Sequence, residues 1–316
     1  MQTKTSLTES ADFSLKALLS TSGKCHSWLN KSSLQQSPWE RFQQQQVDFY
    51  DPAELYHENS KLRRCFSTKD GQGIRFFLAD PQMIDGTSQI NKTYPGSNKI
   101  TLPGVRLKRK SSIDETIRSR RSCRSFNGEA ASLKELSNIL HLSNGVTGQS
   151  KSTIEGQKEI VQHYRAAPSA GSLYSTEMYV AVFSVETLTP GIYHYNVLGH
   201  QLEELDLSQH FTAAFPDCFP IHPDTFQVDK CAFLLILSSV FQRSTAKYGS
   251  RGYRLALQES GHIMQNALLI ATAQNIGTLP VAGYYDDELN SWLKLDGVTE
   301  SVVYVAGFGS AESFCG

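Results

Sequence analysis

Three arginines and a serine, Arg120, Arg121, Ser122 and Arg124, lie within five consecutive positions, with Cys123 among them. Guanidinium groups donate paired hydrogen bonds whose geometry matches a phosphate, and a hydroxyl adds another donor. The cluster therefore indicates a site for a phosphate-bearing ligand. A solvated basic helix end, or a patch that contacts RNA, is the alternative. The strand-like run Cys123 to Phe126 that follows favours a bound phosphate.

A second candidate is a run of small residues that precedes a predicted strand. Small side chains allow backbone amides to approach a ligand closely. An ordinary turn into the strand is the alternative. The segment consists of Pro168, Ser169, Ala170, Gly171 and Ser172.

A third candidate is the dipeptide Lys247-Tyr248, which has arginines at 251 and 254 nearby. A lysine that is partly desolvated near other cations has a lowered pKa and can act as a general base. Tyrosine beside it completes a possible proton-transfer pair. A chance pair on the surface is the alternative.

Two candidates lie towards the C-terminus. Gln265 is a polar residue in an otherwise apolar helix, so it could face a ligand or a subunit interface. The loop predicted after that helix ends in two small residues, and its backbone could lie against a flat ring. That loop contains Pro280, Val281, Ala282 and Gly283.

Three histidines are predicted to have no chemical role. We expect His262 to be a core histidine with satisfied hydrogen bonds. His194 and His200 flank a predicted hairpin, and we expect both at the surface.

The elements that position these residues follow from periodicity and caps. Helices are predicted at 111–121, 132–145 and 253–276, with a serine at the start of the first and Gly145 and Gly277 as stops of the other two. Strands are predicted at 177–185, 231–241 and 302–308, with a hairpin formed by 191–196 and 201–205. Strands mixed with helices around a hairpin indicate an α+β layered domain.

Composition excludes several classes of protein. Of the 316 residues, 40% are hydrophobic, which supports a substantial core and excludes wholesale disorder. The formal charge of −1 argues against a polyanion-binding protein, although the stretch from 106 to 124 is basic. We therefore expect no nucleic acid partner.

The six cysteines are scattered and form no CxxC pair, so neither a zinc site nor a disulfide framework is expected. No signal peptide or membrane-spanning run is evident, and we expect a cytoplasmic protein. We predict an N-terminal extension and linker over 1–103, with a few short helices before 60 and strand-and-turn structure over 66–104. The main domain is predicted over 104–316.

Taken in order, these pieces resemble one family. The text RRSCRSF, YRAAPSAGSLYSTEMYV, PGIYHYNVLGHQLEEL, KYGSRGYR and GHIMQNALLIATAQNIG is similar to the nitroreductase superfamily. It resembles most closely the SagB-type branch, whose flavin-dependent members oxidise thiazolines and oxazolines to thiazoles and oxazoles. The resemblance covers roughly residues 50–310.

The resemblance implies an α/β/α sandwich, an FMN cofactor and a domain-swapped homodimer with active sites at the subunit interface. It assigns the FMN phosphate end to Arg120, Arg121, Ser122 and Arg124. It assigns the flavin surroundings to the segments 168–172 and 280–283, together with Gln265. Lys247 and Tyr248 match the family's catalytic pair.

The implied reaction removes two electrons and two protons from an azoline ring. Lys247 takes the Cα proton, Tyr248 orients it or relays the proton, and the flavin accepts a hydride before oxygen takes the electrons. The implied substrate is an azoline on a peptide or carrier protein, within a synthetase or cyclodehydratase complex. The alternatives are an NAD(P)H-dependent nitro or quinone reductase and a non-catalytic flavin-bound subunit. The C-terminal text AGFGSAESFCG lacks the basic residues common in simple nitroreductases, which disfavours the reductase.

Overall fold

A computed structural model of the chain describes residues 52–61, 73–77, 79–88, 90–107, 112–153, 159–222 and 225–311. The chain divides into two compact units between Glu58 and Asn59. Of the first unit the structure describes one helix, α1 (Pro52–Asn59), whose last residue belongs to the second. All other described elements belong to the second unit.

The second unit is built on a seven-stranded antiparallel sheet in the order β1-β6-β5-β4-β7-β9-β8. A separate two-stranded hairpin is formed by β2 and β3. The strands are β1 (Lys99–Thr101), β2 (Val146–Thr153), β3 (Glu159–Arg165), β4 (Thr176–Val182), β5 (Gly191–Asn196), β6 (Gln201–Asp206), β7 (Phe233–Val240), β8 (Gly277–Val281) and β9 (Glu300–Gly309).

Helices and short 3-10 turns fill the connections between the strands, and residues 73–77 are also helical. The α-helices are α2 (Pro81–Ser88), α3 (Ile113–Ser119), α4 (Leu133–Asn144), α5 (Phe211–Ala214), α6 (Phe241–Tyr248), α7 (Arg251–Ala273) and α8 (Asp286–Trp292). The 3-10 turns are Ala170–Ser172, Phe215–Cys218 and Val228–Lys230.

Each face of the sheet carries its own hydrophobic core, because successive strand residues point to opposite faces. Met178 and Leu237 pack on one face with α4 and α7, through residues such as Ile139 and Met264. On the other face, Tyr179 and Ile236 pack with aromatic and leucine side chains that include Phe211, Phe215, Leu289 and Leu293. The result is the predicted α/β/α sandwich.

Local caps explain where two of the predicted helices begin. Ser112 and Ser132 accept hydrogen bonds from the backbone N–H groups of Glu115 and Glu135, whose carboxylates bond back to the serine N–H groups. These reciprocal pairs satisfy donors that a helix start leaves without partners. The predicted stop at Gly145 is confirmed, whereas α3 ends at Ser119 and leaves Arg120 and Arg121 outside the helix. The predicted stop at Gly277 is wrong, because α7 ends at Ala273 and Gly277 begins β8.

The structure corrects the interpretation of 66–104 and adds elements that were not predicted. The described parts of this stretch include the helical residues 73–77 and α2, where strands and turns were expected. Strand β1 pairs with β6 in the main sheet, although it lies within the predicted extension. The domain boundary at 103 stays a prediction, and the calls before residue 52 lie outside the described residues.

Candidate functional site

Three of the candidate segments lie at the same end of the sheet's strands. Strand β4 is antiparallel to β7, β7 to β9, and β9 to β8. The start of β4 therefore lies at the same edge as the ends of β7 and β8. Segment 168–172 precedes β4, helix α6 with Lys247 and Tyr248 follows β7, and Ala282 and Gly283 follow β8.

Lys247 lies in the last turn of α6, half-buried, with its ammonium nitrogen 4.8 Å from the ring centroid of Phe77. Burial lowers the pKa of Lys247 below its ordinary value. Within the described part of the chain, no carboxylate lies within ion-pair distance of Lys247 Nζ. Without a counter-charge among the described residues, burial favours the neutral amine of Lys247.

Tyr248 is the neighbour of Lys247 in sequence and in space. The Lys247 nitrogen lies 5.5 Å from the Tyr248 ring centroid. Burial raises the pKa of Tyr248 above its ordinary value, so its hydroxyl stays protonated at neutral pH and can donate a hydrogen bond.

Gly171 brings the small-residue segment against this pair. Its φ is +64°, in the left-handed region that favours glycine. A Cβ placed on Gly171 would lie 2.6 Å from Tyr248 Oη and 2.8 Å from Lys247 Nζ. The backbone at 171 therefore lies against the Tyr248 hydroxyl and the Lys247 amine. Two separately predicted segments thus form one site.

The segment around Gly171 has an unusual backbone held by a buried carboxylate. Ser172 and Tyr174 also have positive φ values, 55° and 40°, which non-glycine residues rarely adopt. The Ser169 hydroxyl donates to Glu259 Oε2 at 2.5 Å and accepts the Tyr174 N–H at 2.8 Å. These contacts join the segment to the middle of α7. Pro168 and Gly171 are exposed, and the other members of the segment are half-buried.

A buried charge network lies behind the segment, and the sequence analysis missed it. Arg243, one turn before Lys247 on α6, donates to the Tyr174 carbonyl at 2.8 Å and to Glu177 at 2.5 Å. His194 bonds Glu203 at 2.9 Å through Nδ1 and Glu177 at 3.3 Å through Nε2. The expectation of a surface His194 is wrong, because the carboxylates that hold it come from neighbouring strands.

The pKa values in this network follow from the pairing of its charges. Burial by itself would raise the pKa of Glu177, but the cations Arg243 and His194 hold it well below its usual range. Burial by itself would lower the pKa of His194, but its bonds to Glu177 and Glu203 raise it. His194 is therefore a buried cation between two carboxylates.

The network continues across the sheet through tyrosines and a second ion pair. Tyr94 and Tyr179 share a hydrogen bond at 2.9 Å, and Tyr179 donates to Glu300 at 3.1 Å. Lys92 donates to Glu300 at 2.6 Å and to the Tyr179 hydroxyl at 2.7 Å. The Tyr94 ring packs edge-on against His194, at a centroid distance of 5.1 Å. A polar residue at a buried strand position is the signal that could have revealed this network.

Two other histidines also differ from expectation. His262 is exposed on α7, where a core histidine was predicted. His200 is half-buried, with Nε2 3.0 Å from the Ser137 hydroxyl and Nδ1 2.9 Å from the Tyr195 hydroxyl. It was predicted at the surface, but the tight hairpin turn directs it back against α4.

The arginine cluster lies beside β8. Ser122 forms a bridge with Thr278, and the Cys123 N–H donates to the Thr278 carbonyl at 2.8 Å. Arg121 is exposed and donates to the carbonyls of Arg118 and Arg120 at the end of α3. Arg124 is exposed and Arg120 is half-buried.

The cluster fits an anionic group. Among the residues described in the structure, no carboxylate forms an ion pair with Arg120, Arg121 or Arg124. The segment thus offers three guanidinium groups without a carboxylate partner in the described part of the chain, and Ser122 adds a hydroxyl to the same segment. Such a donor set suits the phosphate of FMN.

The two C-terminal candidates are placed differently from each other. Pro280 and Val281 belong to strand β8, whereas a loop was predicted. Proline is accepted there because β8 is the last strand of the sheet. Ala282 and Gly283 form the exposed loop that was expected. Gln265 is exposed on α7 and not enclosed by apolar groups.

Within the described ranges, no helix combines the length and apolar character needed to cross a membrane.

Residues 117–310 match the Nitroreductase family. The chain belongs to the nitroreductase family. The family and the observed sandwich confirm the predicted α+β fold. Membership in the nitroreductase family supports an oxidoreductase that binds a flavin.

Two relatives and one solved structure are similar to this nitroreductase-family chain. The Methanocaldococcus jannaschii protein MJ1384, named as a nitroreductase, is 30% identical over 195 residues, 58% of this chain and 84% of that protein. The Microcin B17-processing protein McbC of Escherichia coli is 30% identical over 151 residues, 46% of this chain and 54% of McbC. The chain thus spans about half of McbC.

The solved structure is the E. coli Microcin synthetase McbBCD complex with truncated pro-MccB17 bound. One of its chains superimposes with a TM-score of 0.52 at 23% identity, covering 84% of this chain and 96% of that chain. This similarity shows a shared fold.

Proposed function

We propose that this nitroreductase-family protein is an FMN-dependent dehydrogenase that oxidises thiazoline or oxazoline rings of a peptide to thiazoles or oxazoles. The observation that carries the proposal is Lys247, a desolvated amine that has no carboxylate partner in the described part of the chain and lies beside Gly171 and Tyr248. A reductase that takes hydride from NAD(P)H needs no base of this kind. Similarity to a microcin-processing protein supports a peptide substrate.

The cofactor is FMN, with its phosphate end on Arg120, Arg121, Ser122 and Arg124. The segments 168–172 and 280–283, with Gln265, contribute to the flavin surroundings. FMN held by these residues would supply the acceptor for the hydride of the ring CH₂ carbon, with molecular oxygen as the final acceptor of the two electrons.

The chain's own residues account for the proton. The neutral amine of Lys247 takes the proton from the Cα carbon, and the electron pair of that C–H bond becomes part of the aromatic ring. Tyr248, whose hydroxyl lies beside the same Gly171 backbone, orients the amine or relays the proton. Because Lys247 is only half-buried, the proton can then pass to solvent.

The assembly is a homodimer that works with a synthetase or cyclodehydratase partner. Exposure of Gln265 and His262 on α7 leaves this helix face open to a second copy. The fold shared with a chain of the McbBCD complex supports a partner protein of that kind.

Replacement of Lys247 by alanine tests the proposal. We expect Lys247→Ala to retain FMN, because the phosphate site is elsewhere, and to lose azole formation by about 100-fold or more. The assay follows the loss of two hydrogens from a synthetic thiazoline peptide by mass spectrometry. The exposed Lys230→Ala is the matched control and should keep wild-type activity.

Full activity of Lys247→Ala would remove this lysine from the mechanism. Equal inactivity of wild type and variant toward azolines, together with rapid flavin reduction by NADPH, would favour the NAD(P)H reductase.

A further inference from the structure

Glu259 is a buried carboxylate in the middle of α7, with 3% of its surface exposed. Its Oε2 accepts the Ser169 hydroxyl, and its Oε1 accepts the Thr176 N–H at 2.9 Å. One carboxylate therefore ties both ends of the segment 169–176.

The backbone between these ties needs an external constraint. Ser172 and Tyr174 have positive φ values, and such conformations of non-glycine residues persist only where the surroundings fix them. The Ser169 hydroxyl also accepts the Tyr174 N–H, so the tie to Glu259 reaches the strained residues directly.

The opposite side of the same segment covers Lys247. Gly171 lies against Lys247 Nζ and Tyr248 Oη, as the space for a Cβ shows. The segment is thus held by Glu259 on one side and contacts the Lys247–Tyr248 pair on the other.

We infer that Glu259 is a positioning residue, which acts through Ser169 and Thr176 to hold Gly171 against the Lys247–Tyr248 pair. The inference rests on the proposed function for its catalytic meaning. The effect of Glu259 on the surroundings of Lys247 can be measured through the Lys247 pKa, without enzymatic turnover.

The groups around Lys247 determine how its pKa would respond if the segment moved away. Tyr248 faces it from α6, the Phe77 ring from residues 73–77, and the Gly171 backbone from the segment. Among the described residues, no acidic group faces the amine from these elements. Displacement of the segment would therefore act by hydrating Lys247, and its lowered pKa would return towards 10.5.

Ser169→Ala is the principal variant because it cuts the tie and keeps the Glu259 charge, which also balances the buried Arg165. Glu259→Gln replaces one acceptor oxygen with a donor group. Ser169→Thr restores a hydroxyl and serves as the rescue. Glu186→Gln, at an exposed turn, is the matched control for the charge change.

Two measurements test the inference. Steady-state kinetics should show kcat of Ser169→Ala reduced about 10–100-fold with KM changed less than about threefold, since small displacements at a reacting centre cost such factors. The acidic limb of its pH profile should move to higher pH, and Ser169→Thr should recover much of both effects. NMR titration of ¹³C-methylated protein, with the Lys247 signal assigned from Lys247→Arg, should show a raised Lys247 pKa in Ser169→Ala.

An unchanged Lys247 pKa in a folded Ser169→Ala would overturn the inference, even if activity fell. If the wild type fails to oxidise azolines but Ser169→Ala still raises the Lys247 pKa, the positioning role stands and the proposed function is wrong. Ser169→Ala also keeps the test decisive if Glu259→Gln does not fold.

Discussion

Helix α6 carries two cations, Arg243 and Lys247, that differ in how their charges are satisfied. Arg243, Glu177, His194 and Glu203 form a buried network in which each charge has an opposite partner. Lys247, one turn further along α6, has none among the described residues. The comparison separates charges that support the fold from a charge that is available for proton transfer.

The physical cause of the difference is pairing and not burial alone. Burial lowers the pKa of Lys247 because nothing offsets the loss of hydration. Burial acts in the same direction on His194, but two carboxylates reverse the effect and raise its pKa. The same cost therefore favours a neutral amine at Lys247 and is overcome at His194, which stays a cation.

The largest expected effect is the loss of stability when the buried network loses His194. His194→Gln removes the cation between Glu177 and Glu203, so we expect the free energy of unfolding to fall by about 3–5 kcal/mol. Lys247→Ala should change it by less than about 1 kcal/mol, because it breaks no ion pair. Urea unfolding of both variants measures the contrast, and equal losses would contradict it.

The pH dependence of unfolding sharpens the same contrast. The contribution of His194 is complete below its ordinary pKa of 6.5 and is lost as pH rises through its raised folded value. The contributions of Glu177 and Glu203 are present above 4.5 and are lost as pH falls below it. His194→Gln should remove the alkaline dependence.

The next effect concerns the arginine cluster, whose cations have no carboxylate partner among the residues that the structure describes. Arg120→Ala and Arg124→Ala should each weaken FMN binding by about 1.5–3 kcal/mol, because each removes charge-assisted hydrogen bonds to the phosphate. Flavin fluorescence titration of the apoprotein measures the change. Arg118→Ala, exposed on α3, is the control, and full FMN retention by the Arg120/Arg124 double variant would disprove the phosphate site.

The smallest effect is expected at the contact between the segment and the lysine. Gly171→Ala should cost about 1–2 kcal/mol of stability, because alanine is strained at a φ of +64°. Its Cβ would also displace Lys247 and Tyr248, so azole formation should fall more than FMN affinity. Gly86→Ala, with open space around it, is the control in the same urea and turnover assays.

Sequence reasoning predicted what local signals encode. The serine at the start of the helix predicted over 111–121 and the stop at Gly145 are neighbours of the helices they delimit, and the structure confirms them. The hairpin of β5 and β6 and the long helix α7 follow from periodicity within one segment. The fold class follows from the order of these elements.

The missed features depend on partners distant in sequence. His194 lies opposite Glu203 in the register of β5 and β6, and only that register makes it a buried cation. Strand β2 has a polar sequence, VTGQSKST, without apolar alternation, and only its pairing with β3 makes it a strand. Glu259 resembles any helical glutamate until the segment before β4 reaches it, 83 positions away in sequence at Thr176.

The most direct test of the central claim is anaerobic reduction of the bound flavin, followed by its visible absorbance. The account predicts that a thiazoline peptide bleaches the wild-type flavin in a single turnover, that Lys247→Ala with full FMN does not bleach, and that NADPH leaves the wild-type spectrum unchanged. Rapid bleaching by NADPH, with none by the thiazoline peptide, would contradict the assignment of Lys247 as the base of an azoline dehydrogenase.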